Sequence, residues 1–126
     1  MLIAACAFAA LAALVHVYIF VLESVRWQHP ATRRVFGTNE ETAAITQPLA
    51  YNQGFYNLFI AIGTAVGIAL VDGSRDAGVA LIVFGVGSML AAALVLVTAD
   101  VSKLRAAVVQ GLFPLVSLVL LLAWAL

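Results

Sequence analysis

Residues 2–22 read LIAACAFAALAALVHVYIFVL, a run with no charged side chain. As a helix rising 1.5 Å per residue it would be about 30 Å long, the thickness of a bilayer's hydrocarbon core. Working outward, the same texture recurs at about residues 49–71, 78–97 and 106–126, and the charges fall in short clusters between these segments. Backbone groups in lipid must be satisfied within their own segment, so each run is predicted to be a helix. A membrane barrel is a poor alternative, because the segments lack alternation of apolar and polar residues. The expected architecture is an all-α integral membrane protein, an up-down four-transmembrane-helix bundle in one domain over residues 1–126. Its helices are expected at about residues 2–27, 49–71, 78–98 and 104–126.

Composition supports this reading. Of 126 residues, 65% are hydrophobic and 10% charged, against about half and about a quarter in a soluble domain. So apolar a chain cannot cover a soluble surface with polar groups, and the bilayer is its expected partner. Six basic and six acidic residues cancel, which removes the basic field that draws nucleic acid. The single cysteine, Cys6, excludes an intramolecular disulfide and any multi-cysteine metal site. The first segment has no basic leader, is longer than a signal-peptide core and carries His16, Tyr18 and Glu23, so it is expected to be a retained span.

The basic residues orient the chain. Arg26, Arg33 and Arg34 lie between the first and second segments, and Lys103 and Arg105 between the third and fourth. The opposite connection has Arg75 alone, beside Asp72 and Asp76. The positive-inside rule places the two basic connections in the cytoplasm and both termini outside, periplasmic in a Gram-negative source.

The long first connection has its own signals. Thr38-Asn39-Glu40-Glu41 has the spacing of a capping box. It predicts a short interfacial helix over about residues 40–46, with Pro48 in the first turn of the second span. Val35, Phe36, Ala43, Ala44 and Ile45 are expected at the membrane surface. Asp72-Gly73-Ser74-Arg75-Asp76 reads as a tight polar turn. Gly63 with Gly67, Gly87 with Ala91 and Ser88 with Ala92 have the four-residue spacing of small residues that lets helices approach closely. Packing within the bundle is favoured for them over a homodimer face.

Polar side chains in membrane spans are costly and face the protein interior. His16, Glu23 and Trp27, spaced by seven and four, share one helical face. Asn52 with Tyr56 and Gln53 with Asn57 form a broad polar arc on the second span, and Gln110 lies five residues in from Arg105. Antiparallel pairing brings Glu23 level with Gln53. The expected site is therefore a cytoplasm-facing pocket lined by His16, Glu23, Asn52, Gln53, Tyr56, Asn57 and Gln110. Such a pocket suits a small polar or cationic ligand, bound or transported with proton coupling. A self-satisfied hydrogen-bond network, in a structural or assembly protein, explains the same residues. A membrane enzyme acting on a lipid-like substrate is disfavoured: no nucleophile–base–orienter set and no cofactor motif can be read, and no catalytic residue is assigned. No metal or haem is called for either, since Glu23 and His29 are the only other natural ligands near His16. Arg26, one turn from Glu23, is a possible ion-pair partner for it.

Three strings, His16-Val-Tyr18-Ile-Phe20-Val-Leu-Glu23-x-x-x-Trp27, Val35-Phe36-Gly37 and Asn52-Gln53-Gly54-x-Tyr56-Asn57-x-Phe59, resemble the signature of a family of small bacterial inner-membrane proteins, domain of unknown function 1304. The resemblance spans essentially the whole chain. It implies four helices and a bacterial membrane location, and brings no reaction or substrate with it.

Overall fold

The computed structural model describes residues 1–126 and is all-helical. Helix α1 covers Leu2–Phe20 and runs on into a π-helical turn over Val21–Val25, closed by an i→i+5 bond from Arg26 N to Val21 O of 2.9 Å. Helix α2 covers Pro30–Phe36, α3 Glu40–Leu70, α4 Arg75–Ala99 and α5 Leu104–Ala125, with a 3₁₀ turn at Val101–Lys103. Leu2–Val25, Glu40–Leu70, Arg75–Ala99 and Val101–Ala125 are each long and apolar enough to cross a membrane. They make the chain a multi-pass membrane protein.

Around the bundle the order is α1, α3, α4, α5, each helix packing on its neighbours in that ring. On α1 the buried positions Ala5, Ala9, Ala12 and His16 repeat at four and three residues, one face of a helix. The alanines meet Val71, Ile82, Val86, Met89 and Leu121 in the apolar core. That core lies toward the N-terminal end of α1, away from the basic connections. Ser117 on α5 donates to Ala5 O at 2.9 Å, tying α5 to α1 within it.

The small-residue spacing on α3 and α4 is used differently from the expectation. Gly67 meets Gly78 and Ile82: a Cβ on Gly67 would stand 2.9 Å from Gly78 O and from Ile82 N. Gly63, one turn earlier, has nothing within 4 Å, and neither has Gly87. Ala91 and Ala92 are exposed. The α3 row that does pack includes Ala50, Gly54, Ala61, Thr64 and Gly67. A row with mixed steps of three and four follows the 3.6-residue repeat, whereas a strict four-residue step drifts off the contact face.

The first connection also corrects the sequence reading. Residues 40–46 form no separate interfacial helix; they open α3, whose 31 residues run unbroken to Leu70. The N-cap is Asn39, whose Oδ1 accepts from Thr42 N at 2.8 Å, so the cap lies one residue after the Thr38 of the expected capping box, and residue 42 at N3 is a threonine that cannot complete such a box. Pro48 therefore lies inside the helix. It withholds an N–H from Ala44 O and crowds the preceding turn. In that turn the Trp27 indole donates to Ala43 O at 3.0 Å, and Ala43 is fully buried rather than at a membrane surface. At about 46 Å, α3 is longer than the hydrocarbon core is thick, so its N-terminal turns project beyond it on the side of the basic connections.

Helix α2, absent from the sequence reading, has both end signals. His29 caps it, Nδ1 accepting from Ala31 N at 3.2 Å, and Pro30 takes the first position. Gly37 ends it with φ of 65°, a left-handed conformation favouring glycine. Phe36 stacks edge-on against Trp27 at 5.0 Å between ring centres. Lys103, from the turn between α4 and α5, donates through Nζ to Phe36 O at 2.7 Å. That turn is capped by Asp100, which accepts from Ser102 N at 2.9 Å. Hydrogen bonds from the Ser102 side chain and backbone hold the Asp100 carboxyl below its ordinary range.

Candidate functional site

The π-helical turn positions the acidic residue. By adding a residue to the last turn of α1 it aims Glu23 and Ser24 together at α3, and such bulges frequently mark functional sites. Gly54 on α3 receives them. A Cβ there would fall on Ser24 Oγ and lie 3.1 Å from Glu23 Cβ, so only glycine lets the two backbones come this close. Ser24 Oγ donates to Tyr51 O at 2.8 Å across the junction. Asn57 Nδ2 donates to Glu23 Oε2 at 2.9 Å and lies 3.2 Å from its own helix's Gln53 O. Glu23 Oε1 has no partner within the chain and is not sealed from the surface.

Beside Glu23 a cleft of about 510 Å³ opens between the end of α1, helix α2 and the projecting part of α3. Its walls are Glu23, Trp27, Phe36, Gly37, Thr38, Thr42, Thr46, Leu49, Ala50 and Gln53. Thr46 Oγ1 donates to Thr42 O at 2.7 Å, leaving its oxygen lone pairs to accept. Arg26 is exposed and forms no ion pair; the chain's one ion pair is Arg33 with Glu40, at 3.3 Å. Glu23 therefore has no cationic partner among its own residues.

The structure divides the seven residues expected to converge. Glu23 and Gln53 line the cleft, and Asn57 orients Glu23 from behind. Asn52 and Tyr56 do not line it: they are exposed on the opposite side of α3, because at 100° per residue they stand about 200° from Ala50 and Gly54. His16 is sealed deeper in the bundle, 1% exposed, with Nδ1 at 2.9 Å from Ala12 O. A carbonyl can only accept, so Nδ1 carries the proton. Gln110 is half-buried on α5, outside the cleft, and neither His16 nor Glu23 uses it as a partner. No three side chains of the metal-binding types gather anywhere in the fold.

Several cleft residues escaped the sequence reading. Thr42 and Thr46, four residues apart, share a face of α3, a signal available in the sequence once residues 40–46 are joined to α3, and Thr38 lies just ahead of its N-cap. Ser24 and Gly54 had no such signal, because their roles exist only where α1 meets α3. A second groove, about 210 Å³ between α4 and α5, is lined almost wholly by apolar residues from Leu90 to Leu115 and offers no polar chemistry.

No curated protein and no solved structure matches the chain. The family described as Protein of unknown function (DUF1304) matches residues 10–122, a stretch containing α1 from its third turn, the π-helical turn, the whole cleft and most of α5. The chain thus belongs to the DUF1304 family.

Proposed function

We propose that this protein binds a small polar or cationic molecule in the cleft beside Glu23, reached from the cytoplasm, and exchanges it there for a proton. One observation carries the reading: Glu23, one of whose carboxylate oxygens has no partner in the chain, lines a cleft of ligand size in a chain that otherwise keeps charge out of its spans. A carboxylate in low dielectric has to be matched by a proton or by a cation, and the chain supplies no cation. The surrounding groups support the exchange. Gln53 and Asn57 are neutral, Arg33 is paired with Glu40, Lys103 is bonded to Phe36 O, and Arg26 points to the surface.

The expected result has a definite sign. A proton competes with a cation for the same carboxylate, so cation affinity rises with pH and each cation bound releases a proton. Glu23→Gln is expected to weaken binding and remove the pH dependence. Calorimetric titration of detergent-solubilised protein with small amines and alkali cations, at two pH values in buffers of different ionisation heat, measures both. Binding indifferent to pH and to Glu23→Gln would leave the carboxylate as part of a purely structural network.

The reading also places the protein in a bacterial inner membrane with both termini periplasmic. The support is the excess of basic residues in the two connections flanking the cleft. Alkaline phosphatase fused after Leu126 is expected to be active and green fluorescent protein there to be dark. The reverse pattern would invert the orientation and put the cleft on the outer side.

A further inference from the structure

We infer that the ligand class of this cleft is an organic monocation carrying N–H donors on a small apolar body, a primary ammonium rather than a quaternary one. The inference rests on the binding reading above and narrows it by an inventory of hydrogen-bond capacity around the cleft.

The donors nearest the cleft are largely committed inside the protein. The Trp27 indole N–H goes to Ala43 O at 3.0 Å, so Trp27 offers the cleft its ring and not its proton. Asn57 Nδ2 goes to Glu23 Oε2 at 2.9 Å. The Thr46 hydroxyl goes to Thr42 O at 2.7 Å. Lys103, behind Gly37, is bonded to Phe36 O at 2.7 Å and is not part of the cleft wall. The amide of Gln53 and the hydroxyl of Thr42 can donate or accept.

What remains is mostly acceptor. Glu23 Oε1 has no partner, and the Thr46 oxygen keeps its lone pairs. An ionised carboxylate accepts only, so whatever completes it must bring hydrogen-bond donors, and a cationic donor does so most strongly. A quaternary ammonium brings the charge and no N–H. A ligand carboxylate would set like charge against like.

The other wall decides the body of the ligand. Trp27 and Phe36 stack edge-on at 5.0 Å, and Leu49 and Ala50 face the same space. Two aromatic rings beside a carboxylate favour a cation with apolar flanks, which the rings can cover, over a compact alkali ion, which would leave them without a partner.

Trp27 also provides the readout, since the chain has only one other tryptophan, Trp124. In a Trp124→Phe background, in nanodiscs, Trp27 fluorescence is titrated with four matched, water-soluble probes: phenethylammonium, its N-trimethyl analogue, 2-phenylethanol and 3-phenylpropionate. Phenethylammonium is expected to give a saturable change. The N-trimethyl analogue is expected to bind at least about tenfold more weakly, the difference made by losing hydrogen bonds to a charged group, and the alcohol and the carboxylate more weakly still. Glu23→Gln is expected to remove the preference for the ammonium. If the N-trimethyl analogue, the alcohol or the carboxylate binds as well as the ammonium, or sodium chloride competes as a specific occupant, the ligand class is wrong while the cleft remains a binding site. If none of the four perturbs Trp27, the binding reading falls as well. The comparison among probes is made on one protein and does not depend on any Glu23 variant folding.

Discussion

Gly67→Val is expected to destabilise the bundle by about 3 kcal/mol, whereas Gly63→Val, one turn away on the same helix, should change stability by less than about 0.5 kcal/mol. The difference lies in what the new side chain meets. A Cβ at position 67 would stand 2.9 Å from Gly78 O, Ile82 N and Leu81 Cβ. Two of these are backbone atoms, which cannot rotate out of the way. The contact is reciprocal, since a Cβ on Gly78 would stand 2.8 Å from Gly67 O and Val71 N. Helices α3 and α4 would have to separate at the end where Val71 and Ile82 enter the apolar core. At Gly63 there is nothing within 4 Å, so the first atom of a valine side chain there enters open space. Unfolding of each variant in mixed micelles with increasing sodium dodecyl sulfate measures both. Equal destabilisation by the two would refute the assignment of the α3–α4 contact to Gly67.

Gly54→Ala should cost about 2 kcal/mol and also abolish the ligand binding proposed for the cleft, a combination not expected at Gly67. The added methyl would fall on Ser24 Oγ and crowd Ser24 N at 3.0 Å and Glu23 Cβ at 3.1 Å. Relief requires the π-helical turn to move away from α3, which carries Glu23 away from Asn57 and breaks the 2.8 Å bond from Ser24 to Tyr51 O. Ser24→Ala removes the hydroxyl that collides, so Ser24→Ala/Gly54→Ala should recover about half of the lost stability. The recovery is partial because the clash with Ser24 N remains. A double-mutant cycle on these two positions measures the coupling, which should exceed about 0.5 kcal/mol for residues in direct contact. Strict additivity would mean that the turn and α3 do not press on each other as described.

The spans were legible because the bilayer imposes a length. Twenty uncharged residues bounded by charge clusters admit one common solution, a helix that satisfies its own backbone, whatever its neighbours do. That reasoning carried all four spans, their up-down order and the polar character of the end of the bundle that holds the basic connections. The motif His16 to Trp27 and the string around Asn52 to Phe59 likewise marked the chain's family from the sequence alone.

Rotation and register were not legible, because they depend on which faces meet. The polar arc of Asn52, Gln53, Tyr56 and Asn57 spans about 140° of the helix circumference, and nothing within α3 says which part turns inward. Gly54 decides it by admitting Ser24, so Gln53 and Asn57 go to Glu23 while Asn52 and Tyr56 go outward. The Gly63–Gly67 spacing promised a contact row that only Gly67 joins, because a packed helix presents a face with a 3.6-residue repeat. Helix 40–46 and Pro48 were misread for a related reason. Local propensity separates a proline-marked helix start from an upstream amphipathic segment, whereas packing by Trp27 against Ala43 draws both into one continuous helix. What the sequence determined was set by the solvent, a slab that acts on each segment separately. The tertiary structure decided how the segments turn toward one another, since a close approach such as Ser24 on Gly54 is a property of two helices and is encoded in neither alone.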